Sequence, residues 1–246
     1  MISLKNISKS FDGVKVLDDM NLDIEYGDTF VVMGKSGCGK SVTLKIILRL
    51  IFPDEGSIII DGIDTTYFDE VAMMPVRQNI GMLFQGAALF DSMTVWQNLA
   101  YPLLEHSNLD DSEIDAKIAE MLSFVGLDGS QSKMPSELSG GMKKRVALAR
   151  AMIDNPSYVF FDEPTTGLDP VTSGMINELI IRTRERFGVT SIVVTHDLAS
   201  AMRIGTRFAF IDKGKIAFVG EKREMFESDN PGLREFLKDA EWQDRS

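Results

Sequence analysis

The first thirty residues alternate apolar and polar positions with a period of two, and Asp12-Gly13 interrupts the alternation. This predicts two strands joined by a tight turn, with Met20, Leu22 and Ile24 on one face. The same signature returns at Ser57-Ile58-Ile59-Ile60-Asp61-Gly62, and again where Phe208–Ile211 and Ile216–Val219 flank Asp212-Lys213-Gly214. Four other runs are apolar throughout: Phe30–Met33, Ile80–Phe84, Tyr158–Phe161 and Ser191–Thr195. Such runs read as strands of an open parallel sheet buried on both faces. Between Thr94 and Asn155 the period becomes helical, with Ile114, Ile118, Met121, Leu122 and Val125 on one face and Gly126 placed as a C-terminal cap. A further helix is predicted over Gly141–Ile153, stopping ahead of Asn155-Pro156, and a shorter one from about Ser41 to Leu50. The pattern is that of an α/β chain with an antiparallel sheet at its start and a helical lobe inserted in its middle. The stretch from Asn230 to Ser246 reads as a short charged tail in which Trp242 would either pack on a second copy or stand free.

Composition narrows this. A chain of 246 residues with 44% hydrophobic residues has material for one large domain or two small ones. The net charge of −11 and pI near 4.7 lack the basic footprint of a protein that grips a phosphate backbone, so nucleic acid is disfavoured as the main partner. Cys38 is the only cysteine, which rules out an intramolecular disulfide and fits a reducing compartment. No run approaches the ~18 apolar residues of a membrane span. A partner must supply the membrane-spanning part of any membrane function. With only His106 and His196 and one cysteine, a structural zinc site is not expected.

The densest chemistry is Gly34-Lys35-Ser36-Gly37-Cys38-Gly39-Lys40-Ser41, directly after the apolar run that ends at Met33. Strand, glycine-rich loop and helix in this order form a phosphate cradle. Glycines let successive backbone N–H groups point at a polyphosphate, Lys40 reaches the β/γ-phosphates, and Ser41, followed by Val42, supplies a Mg²⁺ ligand. The segment points to ATP or GTP.

The other three parallel-type runs also end in residues that handle phosphate, metal or water: Gln85, Asp162-Glu163 and His196. Ligands of open parallel sheets bind beyond the carboxyl ends of the strands, so the four ends are expected to converge. Asp162 suits Mg²⁺, and Glu163 suits polarisation of an attacking water. Gln85 can bond both water and metal ligands, and His196 can donate to a γ-phosphate. Singly, an Asp-Glu pair before Pro164 is a turn and a histidine after a strand is a cap. Their shared placement favours phosphoryl transfer.

Between the helical lobe and the second acidic strand stands Leu138-Ser139-Gly140-Gly141-Met142-Lys143-Lys144-Arg145. Ser139 would cap a helix whose three basic residues make an anion-seeking start. With this segment the chain resembles the ATP-binding cassette (ABC) ATPases over residues 1–222, every motif of that family being present in order. The resemblance implies a P-loop NTPase (RecA-like) core with an N-terminal antiparallel β-subdomain and an inserted α-helical subdomain. Core and β-subdomain would span 1–87 and 158–222, the helical subdomain 88–157, and a short C-terminal tail 223–246. It implies that Phe11 stacks on adenine with Val16 beside it, and that residues 34–41 cradle the phosphates of ATP. Gln85 becomes the Q-loop glutamine, and Ser139, Gly140 and Gly141 carry the signature's backbone donors. Asp162 holds the metal, Glu163 catalyses, Asp169 belongs to the D-loop, and His196 is the switch histidine. In that family two copies pack head to tail and each signature completes the other's site. Met142 departs from the usual glutamine, which removes a side-chain contact but leaves the backbone donors.

Met142 with its basic neighbours, the stretch Phe84–Asp91 and the stretch Asn98–Leu103 are similar to the ATPases of MCE-type lipid transporters. That resemblance implies a second copy, an integral-membrane permease and an MCE-domain lipid-binding protein as partners, at the cytoplasmic face of the inner membrane. Residues 87–96, with Leu89, Phe90 and Trp96, would then receive a permease helix or simply form core. Two rival readings stay open: the ATPase of an importer of amino acids or other small solutes, and a soluble ABC ATPase acting on nucleic acid.

Overall fold

A computed structural model describes residues 1–243, with side-chain surroundings up to residue 238; the Trp242 side chain and the final residues lie outside that description. The chain divides into two compact units, Met1–Pro75 with Thr190–Ser246, and Val76–Val189.

The first unit opens with strands β1 (Ile2–Phe11) and β2 (Val14–Ile24), paired antiparallel. Asp12 (φ 49°) and Gly13 (φ 79°) both take the left-handed conformation that a two-residue hairpin turn demands. The parallel core strand β3 (Thr29–Met33) is buried at every position and leads through the phosphate loop into helix α1 (Lys40–Ile47). Strands β4 (Glu55–Ile60) and β5 (Ile63–Asp64) complete an antiparallel sheet in the order β2-β1-β4-β5. Helix α2 (Glu70–Gln78), with Pro75 inside it, runs through the boundary between the units. The chain returns to the first unit with β8 (Thr190–Thr195), α7 (Leu198–Ile204), β9 (Arg207–Asp212) and β10 (Lys215–Gly220). There β3 pairs in parallel with both β8 and β9, and β10 closes the edge as a hairpin on β9.

The second unit holds the parallel pair β6 (Ile80–Leu83) and β7 (Tyr158–Asp162). Helices α3 (Val95–His106), α4 (Asp111–Phe124), α5 (Gly140–Met152) and α6 (Pro170–Phe187) accompany it. Asp110 and Glu113 form a reciprocal capping box at the start of α4. Gly126 (φ 66°) ends that helix, with Leu127 N–H donating back to the Leu122 carbonyl. Gly81 lets β6 lie against α5, since a Cβ there would sit 2.1 Å from the Ala151 carbonyl oxygen.

The helix after the phosphate loop stops short of the expected Leu50. Arg49 is left-handed (φ 56°) and buried, its guanidinium stacked 3.8 Å from the Phe52 ring and bonded to the Phe68 carbonyl. Tertiary contacts to Arg49 turn the chain where local periodicity would extend it. The stretch from Asn230 read as a charged tail contains α9 (Pro231–Gln243), and α8 (Lys222–Glu227) precedes it. In α9, Leu233, Phe236 and Leu237 are buried, and the Phe236 ring packs 5.2 Å from that of Phe210. Among the described residues three buried apolar positions hold this helix, too few to outweigh its charge in a linear reading.

Phe236→Ala removes the largest of these anchors and is expected to cost about 3 kcal/mol of stability, as buried Phe→Ala changes do. Urea titration of the full chain measures it; a loss below about 0.5 kcal/mol would show that α9 is not docked on β9.

Candidate functional site

The five residues of β3 carry no charge and no turn former, so the strand runs straight into the loop at Gly34. Space and dihedral angle both require glycine in this loop. A Cβ on Gly34 would lie 2.5 Å from Cys38 Sγ and from the Ile211 carbonyl oxygen, and one on Gly39 would lie 2.5 Å from Leu17 Cδ2. At Gly37 space is free but φ is 79°. Gly39 (φ 109°) caps α1 and, having no side chain, supplies no acceptor of its own to the helix's first turn. Lys40 is buried, and its ammonium donates to the carbonyls of Gly34 (2.9 Å) and Lys35 (3.3 Å), which places the cation across the loop. Burial pushes the Cys38 thiol up, which keeps it protonated and a poor nucleophile. Lys35 and Ser36 are exposed, and Lys35 pairs with Glu235 of α9 at 3.3 Å.

Three other expected residues lie in the same unit. Met33 and Thr195 are register partners in β3 and β8, so Gly34 and His196 are the next residues on adjacent parallel strands. His196 is exposed in a tight strand-to-helix turn, where Asp197 N–H donates to Thr195 Oγ1 and Asp197 accepts from Ser200 N–H to cap α7. Phe11 stands exposed at the end of β1 with Lys9 Nζ 5.4 Å from its ring centre. Val16 backs the loop, its Cγ1 3.5 Å from where a Cβ of Gly39 would be.

The second unit brings the others together. Leu83 and Phe161 are register partners in β6 and β7, so Gln85 and Glu163 each stand two residues beyond the pair. Gln85 is exposed; Glu163 is nearly buried, with its backbone in the left-handed region (φ 49°). A glutamate in that conformation is strained by about 1–3 kcal/mol, and such strain concentrates at functional sites. Its carboxylate accepts from Thr166 Oγ1 at 3.2 Å. Ser139 caps α5, its hydroxyl accepting from Met142 N–H at 3.3 Å. Gly141 faces α6 closely, since a Cβ there would lie 2.3 Å from Thr172 Cγ2, whereas one on Gly140 would meet only Leu168 Cδ2 at 3.6 Å. Asp169 caps α6, accepting from the N–H groups of Val171 and Thr172, and the Thr172 hydroxyl holds its carboxyl below the usual range.

Two features of the second unit differ from the linear reading. Two of the three basic residues at the start of α5, Lys144 and Arg145, are committed to carbonyls. Buried Lys144 donates to the carbonyls of Gln85 (2.6 Å) and Glu163 (3.3 Å), and Arg145 Nη1 donates to those of Val125 (3.2 Å) and Gly126 (3.0 Å). Burial pushes Lys144 below its ordinary value, and the charges of Asp162 and Glu163 oppose that. The loop after Gln85 is also more constrained than expected. Ala87 (φ 64°) and Ala88 (φ 50°) are left-handed, and Arg150 donates to both carbonyls at 3.3 and 2.8 Å. Buried Asn98 accepts from Phe90 N–H and donates to the carbonyls of Phe90, Met93 and Thr94. Of the expected docking residues, Phe90 is exposed beside Tyr101 and Arg150, while half-buried Trp96 donates to Asp115 at 2.6 Å. No sequence signal singles out Arg150 or Asn98; Arg150 reaches carbonyls more than 60 residues away in the chain, and Asn98 holds those of the segment leading into its own helix.

The family model for ABC transporters matches residues 17–166. This chain belongs to the ABC transporter family. It is an ABC-type ATPase, and its nucleotide is ATP with Mg²⁺. It is 38% identical over 236 residues to the probable ribonucleotide transport ATP-binding protein mkl of Mycobacterium leprae, covering 96% of this chain and 68% of mkl. Identity is 37% over 238 residues to the intermembrane phospholipid transport system ATP-binding protein MlaF of Haemophilus influenzae, covering 97% of this chain and 90% of MlaF. The solved dimeric post-hydrolysis state of the ATP-binding cassette MJ0796, bound to ADP and Pi, superposes with a TM-score of 0.83 at 33% identity, over 90% of this chain and 98% of that one. The crowded glycines at 34 and 39, the glycine-capped helix start and the buried ammonium of Lys40 fit a polyphosphate.

Lys40→Ala removes that ammonium and is expected to abolish ATP binding, lowering affinity by about 100-fold or more. Isothermal calorimetry on the full chain checks this; near-parental affinity would remove the loop from the nucleotide site.

Proposed function

We propose that this chain is the ATPase subunit that drives a separate integral-membrane permease in phospholipid trafficking between inner and outer membranes. The observation that carries the lipid reading is the match to MlaF, which runs along 97% of this chain and 90% of that protein. Among the described residues no helix is long and apolar enough to cross a membrane, so the spanning part belongs to a partner. The partners are a second copy packed head to tail, the permease and an MCE-domain lipid-binding protein. The chain works as a peripheral subunit at the cytoplasmic face of the inner membrane.

In this reading ATP with Mg²⁺ supplies the phosphoanhydride bond and the ion that neutralises its charge. The backbone N–H groups of residues 34–41 and the Lys40 ammonium bind the phosphates, and Phe11 and Val16 hold the base. Ser41, Gln85 and Asp162 provide oxygens for the ion. Glu163 takes the proton of the attacking water, and His196 donates to the terminal phosphate. Ser139, Gly140 and Gly141 serve the partner's nucleotide, with Asp169 ordering the helix behind them. Residues 88–157 form the helical subdomain, whose exposed Phe90, Tyr101 and Leu104 face the permease. A second reading, import of a small solute, draws on the 38% identity to mkl, named for ribonucleotide transport.

Purification of the full chain with its native membrane partners, followed by mass spectrometry, separates the two. Phospholipid, a permease and an MCE-domain protein are expected. Recovery with a solute-binding protein, or with nucleic acid and no permease, would overturn the lipid assignment.

A further inference from the structure

Lys144 is 5% exposed, and its ammonium holds two carbonyl oxygens, of Gln85 at 2.6 Å and of Glu163 at 3.3 Å. Neither carbonyl belongs to its own helix, and both residues stand just beyond the ends of parallel strands. The Glu163 backbone is left-handed, a conformation that persists only where surrounding contacts over-determine it. A lysine places three donors on one atom, and a buried ammonium that loses an acceptor is costly, so this tie resists slippage. The same helix begins at Ser139, whose hydroxyl caps it, and its glycines meet Thr172 and Leu168. A shift at the start of α5 therefore carries the Lys144 ammonium with it, and with the ammonium the carbonyls of Gln85 and Glu163.

We infer that Lys144 is a positioning residue that fixes Gln85 and Glu163 to the first turns of the signature helix, so that engagement of residues 139–141 sets the reactive geometry of the same chain. This rests on the reading of Glu163 as the group that activates water. Lys144 touches no reacting atom; it acts through the backbone of the two residues that do. Misplacement of a catalytic group by about 1 Å costs on the order of 100-fold in rate, so a small slip at these carbonyls is enough to be seen in turnover.

Lys144→Met in the full-length chain tests this. In the nucleotide-free protein, amide hydrogen exchange over 84–90 and 162–168 should quicken by about 10-fold, with residues 2–24 unchanged. With Mg-ATP, kcat should fall by about 30- to 100-fold while KM stays within about threefold. Lys144→Arg, which keeps charge and donors, should recover most of both losses. Unchanged exchange at both segments, or a change confined to KM, would overturn the inference. Faster exchange throughout 76–189 in Lys144→Met and Lys144→Gln alike would show general packing and overturn it too. Glu163→Gln separates this from the reading beneath it. If that change spares turnover while Lys144→Met still quickens exchange, the role of Glu163 fails and the tie stands; abolished turnover with unchanged exchange sinks the tie alone.

Discussion

The structure depends on a constraint imposed by charge: a polyphosphate can be held away from water only where backbone N–H groups and a cation already face it. Parallel strand pairing meets that constraint, because register partners deliver their successors side by side. Met33 opposite Thr195 gives Gly34 beside His196, and Leu83 opposite Phe161 puts Gln85 and Glu163 each two residues beyond a register pair. Buried apolar runs in β3, β6, β7 and β8 are thus what sets the chemistry. A one-residue slip would move every polar end out of place.

The loops beyond those strands are held by cations spent on carbonyls. Glu163, Ala87 and Ala88 all carry positive φ, and Lys144 or Arg150 bonds a carbonyl at each. Charge-assisted bonds of this kind contribute more than neutral ones and offset conformations that ordinary residues avoid. Both cations come from α5, the helix that begins at Ser139. The signature helix is therefore a post to which the Gln85 loop and the Glu163 turn are tied.

Much of this was legible in the sequence. Asp12-Gly13, Asp61-Gly62 and Lys213-Gly214 each announced a hairpin, and each pair is left-handed in the structure. The phosphate loop, the capped α4 and the strand-ending polar residues also followed from local rules, since glycine dihedrals and apolar periods are local. Arg49, which ends α1, and α9, which docks through Phe236 on Phe210, depend on partners far away in the chain. Lys144 and Arg145 read as part of an anion-seeking helix start for the same reason: nothing nearby in sequence shows that a carbonyl 59 residues away awaits Lys144.

The phosphate loop and the signature are each well formed, and in the proposed head-to-tail pair they are halves of two different sites. Complementation between inactive chains tests this most directly. Lys40→Ala disables the loop, and Gly140→Asp disables the signature at an exposed position where a Cβ meets nothing closer than Leu168 Cδ2 at 3.6 Å. Each variant alone should be inactive, whereas their equimolar mixture should regain roughly a quarter of parental ATPase activity, the share of sites in randomly paired chains that combine an intact loop with an intact signature. A mixture as inactive as its components, with mixed pairs shown to form, would contradict the shared site.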